Sequence, residues 1–257
     1  MKATKIEAIT MEQKATVTLY PRKTAYRLSA IAIILLVAHV ISIATVYIFG
    51  GFDHRLVRVL FNLFFLDGEG NVPALFSVGL FLLNAAFFLV VWKAKRVAGD
   101  ASKIWLFLSV VFVFLALDES ISIHERLIDP LRQAFDASGL LYYTWIIPYG
   151  IGVVLLSIFV FPVFWRMQKR IRFWFGLSAV VYLFAAIGLE MISGKYLVMM
   201  NEKKDIWWIL LITLEELLEM AGLIILTYAL LLYIRNTSNG FLIFIAGSKD
   251  ASLNAAK

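Results

Sequence analysis

Apolar runs close to the length of a bilayer crossing alternate with short polar segments along this chain. A spanning helix needs about 20 mostly apolar residues. Residues 27–49, 74–93, 103–126, 143–165, 171–193 and 206–234 meet that requirement. The pattern predicts an all-α fold, a polytopic membrane helix bundle of six transmembrane helices. Residues 1–26 read as an N-terminal segment, 27–235 as the transmembrane domain and 236–257 as a tail. The apolar stretch from Phe241 to Ala246 is too short to span and is expected at an interface or in a disordered tail. No cleavable signal is recognisable before the first span, which is expected to act as its own anchor.

Composition agrees. The chain is 61% hydrophobic with a mean hydropathy of +0.85, against about 45–50% apolar residues in soluble domains. The net charge of +6 places no expectation on nucleic acid, because basic residues flanking spans account for it. They cluster on one side: Lys93, Lys95, Arg96 and Lys103 in one connection, Arg166, Lys169, Arg170 and Arg172 in another. The positive-inside rule then predicts both termini in the cytoplasm, in the inner membrane of a bacterium or its equivalent. Cysteine is absent, which excludes disulfides, thiolate metal sites and thiol nucleophiles.

The polar exceptions inside the spans carry the chemistry. Asp118 and Glu119 follow fourteen residues that are almost all apolar, and His124 and Glu125 come soon after. Glu190 lies late in the fifth span, and Glu215, Glu216 and Glu219 lie in the sixth. A carboxylate at the bilayer centre costs about 2.5–3.5 kcal/mol even on lenient insertion scales, so such groups mark functional sites by default. With span 3 running to residue 126, Asp118 and Glu215 both fall about 13 Å below the outer surface, near the midplane. Asp118, Ser122 and Glu125 then share one helical face, and Glu215, Glu219 and Gly222 share another. Gly222 is expected to let a neighbouring helix approach closely.

Carboxylates and an imidazole from facing helices are the ligand types of zinc and di-iron centres. Asp118, Glu119, His124, Glu125, Glu190, Glu215 and Glu219 are therefore candidate ligands of a divalent metal, zinc or iron; for His124 and Glu125 a place in the outer loop, with Glu125 and Arg126 solvated, is the alternative. Glu216 is then the candidate general base for a metal-bound water. Asp67, Glu69 and Asn71, in the sequence Asp67-Gly68-Glu69-Gly70-Asn71-Val72-Pro73, form a candidate outer cation loop suited to calcium. A Gly-rich turn ending in Pro at a helix start is the structural alternative for the same residues, and the favoured one.

That Asp/Glu/Asn loop resembles one that precedes a span in alkaline ceramidase-like membrane hydrolases. Those enzymes need a zinc site built from several histidines. This chain has His39, His54 and His124 alone, so the resemblance does not extend to the activity. His39, inside the first span, is expected to hydrogen-bond between helices. Arg126 and Arg132 are candidates to close salt bridges over the acids or to attract anionic substrate heads.

The leading expectation is a metal-dependent membrane enzyme, acting on a lipid-like or hydrophobic substrate at a site open to the extracytoplasmic side. A proton or cation transporter using the same acids is the second. It ranks lower because Trp105–Leu117 and Leu223–Leu232 are nearly all apolar and provide no second access route. A non-catalytic subunit or assembly factor, whose acids meet a partner's basic residues, is the third.

Overall fold

The computed structural model describes residues 20–100 and 103–237. The stretch Phe241–Ala246 and most of both terminal segments lie outside the described residues. Within them the chain forms α1 (Pro21–Ile48), α2 (Arg55–Phe64), α3 (Val72–Val97), α4 (Ile104–Ile121), α5 (Ile128–Phe135), α6 (Ile146–Trp165), α7 (Lys169–Leu183), α8 (Glu190–Met199) and α9 (Ile206–Thr237). A π-helical turn, Phe184–Leu189, joins α7 to α8 without a break. Six of the resulting rods are long and apolar enough to cross a membrane: α1, α3, α4, α6, α7–α8 and α9. The chain is a multi-pass membrane protein. The helix ends follow local rules: Pro21 opens α1, and Asn71 caps α3 one residue ahead of the Val72-Pro73 start.

Helix α9 is the axis of the bundle. It packs against α1, α3, α7 and α8, and 61% of its most apolar window is buried. Lipid tails are as apolar as leucine, so burial alone does little to pair helices in a membrane; close packing and interhelical hydrogen bonds do it instead. Both are found around α9. Asn84 of α3, fully buried, donates to the Leu223 carbonyl at 3.1 Å and accepts from the Thr227 hydroxyl at 3.0 Å. Ser178 of α7 donates to the Gly222 carbonyl at 2.8 Å. Gly222 itself faces Tyr182, where an added Cβ would stand 2.7 Å from the Tyr182 Cβ and 2.9 Å from its backbone nitrogen. Ser109 of α4 reaches the Ala85 carbonyl of α3 at 2.8 Å.

His39 joins α1 to two other elements. The Leu66 N–H donates to its Nδ1 at 3.1 Å, so the ring's own proton sits on Nε2. That N–H donates to the Thr213 hydroxyl at 2.9 Å, which donates to the Ile209 carbonyl. The expected helix–helix hydrogen bond is present, and it also fixes the chain one residue before Asp67.

Helix α6 is different. Only 6% of its most apolar window is buried, and it packs loosely on its neighbours. Ile151, Val154, Leu155, Ile158 and Phe159 point outward. Its opposite face lines an internal cavity.

Two short helices fall outside the six-span pattern. In α2, Arg55, Arg58 and Asn62 recur at helical spacing opposite Val57, Phe61 and Phe64, and in α5, Asp129, Arg132 and Gln133 lie on one side. Both are amphipathic and lie at the end of the bundle that carries the Asp67 loop.

Replacing Gly222 by alanine forces α7 and α9 apart against a backbone contact, since the neighbouring atoms belong to Tyr182's own main chain and Cβ. The expected cost is about 1–3 kcal/mol, read as a lower melting temperature of the detergent-purified protein. An unchanged melting temperature would show that the interface yields freely.

Candidate functional site

Span 3 is shorter than its apolar pattern implies. Helix α4 stops at Ile121, and Ser122 adopts a left-handed conformation with φ 52°. That reversal moves His124 and Glu125 off the helix, so Asp118, Ser122 and Glu125 do not share a helical face as expected. It also places Asp118 three residues from the helix end, about 4.5 Å along the axis rather than mid-span. The returning chain folds onto the Asp118 carboxylate. The His124 N–H donates to Oδ1 at 2.9 Å, and His124 Nδ1 lies 3.1 Å from Oδ2. One buried carboxylate thus holds both the backbone and the ring of His124.

The π-helical turn acts on the fifth span in a similar way. An extra residue in one turn rephases the remainder of the helix, and such turns recur at functional sites. The residue directly after this one is Glu190, whose Oε1 accepts from the Trp145 indole N–H at 2.7 Å. The Trp145 ring stands 5.0 Å from the His124 ring. Asp118, His124, Trp145 and Glu190 therefore form one continuous set that links α4, the start of α6 and α8.

All of these face a cavity of about 560 Å³, within the range of small-molecule sites. Asp67, Glu69, Asp118, Glu119, Glu125, Glu190, Glu215, Glu216 and Glu219 line it, which is half of the chain's 18 Asp and Glu. No lysine or arginine is among the lining residues, and His124 is the basic group present. Glu219 lies within electrostatic range of Glu119 and Glu190, and Glu216 of Glu119. Glu119, Glu215, Glu216 and Glu219 make no hydrogen bond or ion pair among the described residues, while Asp118 is held by His124 and Glu190 by Trp145. The Tyr149 hydroxyl, also on the cavity, is buried near Asp118 without a well-formed hydrogen bond.

Beyond the acids the same cavity continues along apolar side chains of α3, α4, α6 and α7: Phe88, Trp105, Leu108, Leu156, Val160, Val163 and Phe175. Trp105 lies one residue from the far end of α4, so the cavity accompanies that helix for about 20 Å. It is polar at one end and greasy at the other.

The Asp67 loop divides its residues. The Asn71 Nδ2 donates to the Phe65 carbonyl at 2.6 Å, and its Oδ1 accepts from the Ala74 N–H at 3.0 Å. Asn71 is a helix cap and does not line the cavity, whereas Asp67 and Glu69 do. A Cβ on Gly68 would meet the Asn71 amide at 2.5 Å, so glycine is required for this cap to form. Arg132 does not cover the acids: it donates to the Tyr142 carbonyl at 2.9 Å and lies over the Tyr142 ring. Arg126 is exposed.

Among the described residues no three His, Asp or Glu side chains converge closely enough to hold a metal ion. The acids share a cavity without forming a ligand set.

At the mouth, burial pushes the Asp67 carboxyl up to about 7, partly offset by the Lys204 charge. Burial alone would lower His124. The Asp118 hydrogen bond and charge, aided by Glu190 and Glu125, outweigh it and raise the imidazole from 6.5 to about 9. His124 is then a cation at neutral pH. Its folded value lies above the unfolded one, so its contribution to stability is complete below about pH 6.5 and is lost as pH rises through about 9.

These features define a class: an α-helical, multi-pass membrane protein built round an amphipathic cavity with an acidic end. Residues 28–234 match the family model described as Domain of unknown function (DUF8692), and the chain belongs to that family. No curated protein and no solved structure matches it.

Protonated histidine quenches a neighbouring indole, so Trp145 should report the His124 titration. The expected result is a fluorescence step with a midpoint near pH 9, absent in His124→Gln. A midpoint close to the ordinary 6.5 would show that Asp118 does not hold the imidazolium.

Proposed function

We propose that this protein is a membrane enzyme that takes an amphipathic, lipid-like substrate from the bilayer and acts on it by acid–base chemistry at the acidic end of the cavity. The observation that carries this reading is the continuity of one cavity from a carboxylate-lined chamber to an apolar trough beneath a loosely packed helix. A soluble substrate has no use for the trough, and a purely apolar one has none for the chamber. Entry past α6 is the natural route, since that helix has the least to lose by moving.

Within the chamber the roles follow from charge. His124, cationic at neutral pH and oriented by Asp118, is suited to donate a proton to a leaving group. Its Nε2 makes no hydrogen bond among the described residues. In its ionised form Glu216 or Glu119, unpartnered among the described residues, is the group that would accept a proton from an attacking water. A metal-assisted version would need a ligand set that the described side chains do not assemble. The basic connections at Lys93–Lys103 and Arg166–Arg172 favour their own end of the bundle as cytoplasmic, which leaves the acidic chamber at the extracytoplasmic end.

A proton or cation transporter is the alternative favoured by the unpartnered acids. It requires a polar route through the trough, and Phe88, Trp105, Leu108, Val160 and Phe175 provide none.

The test incubates the purified protein in nanodiscs with a total bacterial lipid extract and compares products by mass spectrometry. Wild type is expected to generate a product that His124→Gln and Glu216→Gln form at least about a hundredfold more slowly, as is usual for loss of a general acid or base. A wild-type profile identical to that of empty nanodiscs would overturn the enzymatic reading.

A further inference from the structure

Two independent features of the chamber constrain the head group it accepts. The first is charge. Unpartnered carboxyls from α4 and α9 face a volume that no lysine or arginine borders, and its one basic group, His124, is held by Asp118. Glu216 and Glu219 are half-buried and line the cavity. An anionic or zwitterionic-phosphate head would meet repulsion there, and a neutral head would leave the repulsion among the acids unrelieved. The second is aromatic. Trp145, Tyr149 and Tyr182 line the same chamber, with the Trp145 and Tyr149 rings 5.1 Å apart and nearly perpendicular. The Tyr149 hydroxyl, buried without a well-formed hydrogen bond, adds an oxygen dipole. Aromatic faces beside carboxylates are the recurrent surroundings of ammonium groups, above all quaternary ones.

We infer that the chamber binds an organic ammonium group carried on a single hydrocarbon chain, with the Glu216–Glu219 side of α9 and the Trp145–Tyr149 rings around the cation and the chain lying along the trough. This inference rests on the reading of the cavity as an amphipathic substrate site and names the class of that substrate. The ammonium neutralises acids that otherwise repel one another, and the chain takes the place of lipid under α6. The source of the ligand is either an amine-bearing bilayer lipid or a free long-chain amine, and the chemistry recognised is the same.

The experiment measures binding to the wild-type protein in nanodiscs of neutral or zwitterionic lipid. The probes are dodecyltrimethylammonium, dodecylamine, dodecyl maltoside and dodecyl sulfate below their micellar concentrations, with tetramethylammonium as a tail-less control. Native mass spectrometry counts bound molecules, and tryptophan fluorescence gives affinities. The cationic probes are expected to bind at least about tenfold more tightly than the neutral one of equal chain length. Tetramethylammonium is expected to bind far more weakly. Glu216→Gln/Glu219→Gln is expected to lose about tenfold for the cations and to keep its affinity for the maltoside. Val160→Trp, which fills the trough, should weaken every tailed probe and leave tetramethylammonium unchanged. Co-purified lipid displaced by dodecylamine would mark the bilayer as the source; an empty wild-type chamber that fills on addition would mark the free amine.

Equal affinity for cationic and neutral probes would overturn the inference and leave the amphipathic reading standing. Failure of every alkyl probe to bind wild type would overturn both. The binding series needs no turnover, so an inactive but binding protein would sink the enzymatic reading alone.

Discussion

Coulomb repulsion inside a poorly polarisable medium sets the terms for this fold. Carboxyls placed together away from water raise one another's energy, and screening by salt does not reach them as it would at a surface. The structure relieves a part of this with its own donors: His124 stands against Asp118, and the Trp145 indole against Glu190. Glu119, Glu215, Glu216 and Glu219 have no such donor among the described residues. A scaffold must hold these four in place without help from their own contacts.

That scaffold is the set of interhelical contacts around α9 and its neighbours. His39, Asn84, Ser109 and Ser178 each form a hydrogen bond between elements, and the close approach at Gly222 seats α7. Together they tie α1, α3, α4, α7 and α9 to one another. The carboxyls of α4 and α9 are therefore positioned without help from α6, which packs loosely on the rest. His39 has the widest reach, because its ring fixes the Leu66 backbone and through it the direction in which Asp67 faces.

The spans were the most legible part of the sequence, since a bilayer allows few ways to bury a backbone and apolar length reports it directly. The acids were legible for the converse reason: in lipid they are too costly to be incidental. The point where α4 ends was not. Nothing apolar or glycine-like marks Ser122, and the left-handed turn there depends on the Asp118 clamp, an interaction between residues six apart that periodicity does not register. The same blindness hid α2 and α5. Their Arg55–Arg58–Asn62 and Asp129–Arg132–Gln133 spacings are visible once sought, but a search for spans of about twenty residues passes over them. Asn71 could be taken for a ligand because a cap and a cation ligand use the same carboxamide oxygen, and only the position of the Ala74 N–H separates the two.

The π-turn at Phe184–Leu189 gives the fifth span two angular registers. In a continuous α-helix each residue advances about 100°, so one residue in excess turns everything beyond it by that amount. The half of the span before the turn is phased to meet α9 through Ser178 and Tyr182, and the half after it to bring Glu190 to Trp145. Neither contact surface could be moved along the helix to suit the other. A lineage that lost one residue here would keep a perfectly good transmembrane helix, of nearly the same length and hydropathy, with its acid turned away from the chamber. Hydropathy would not register the loss. The length of this segment, counted to the single residue, is thus a sharper criterion for recognising a working relative than the apolar character of the span that contains it.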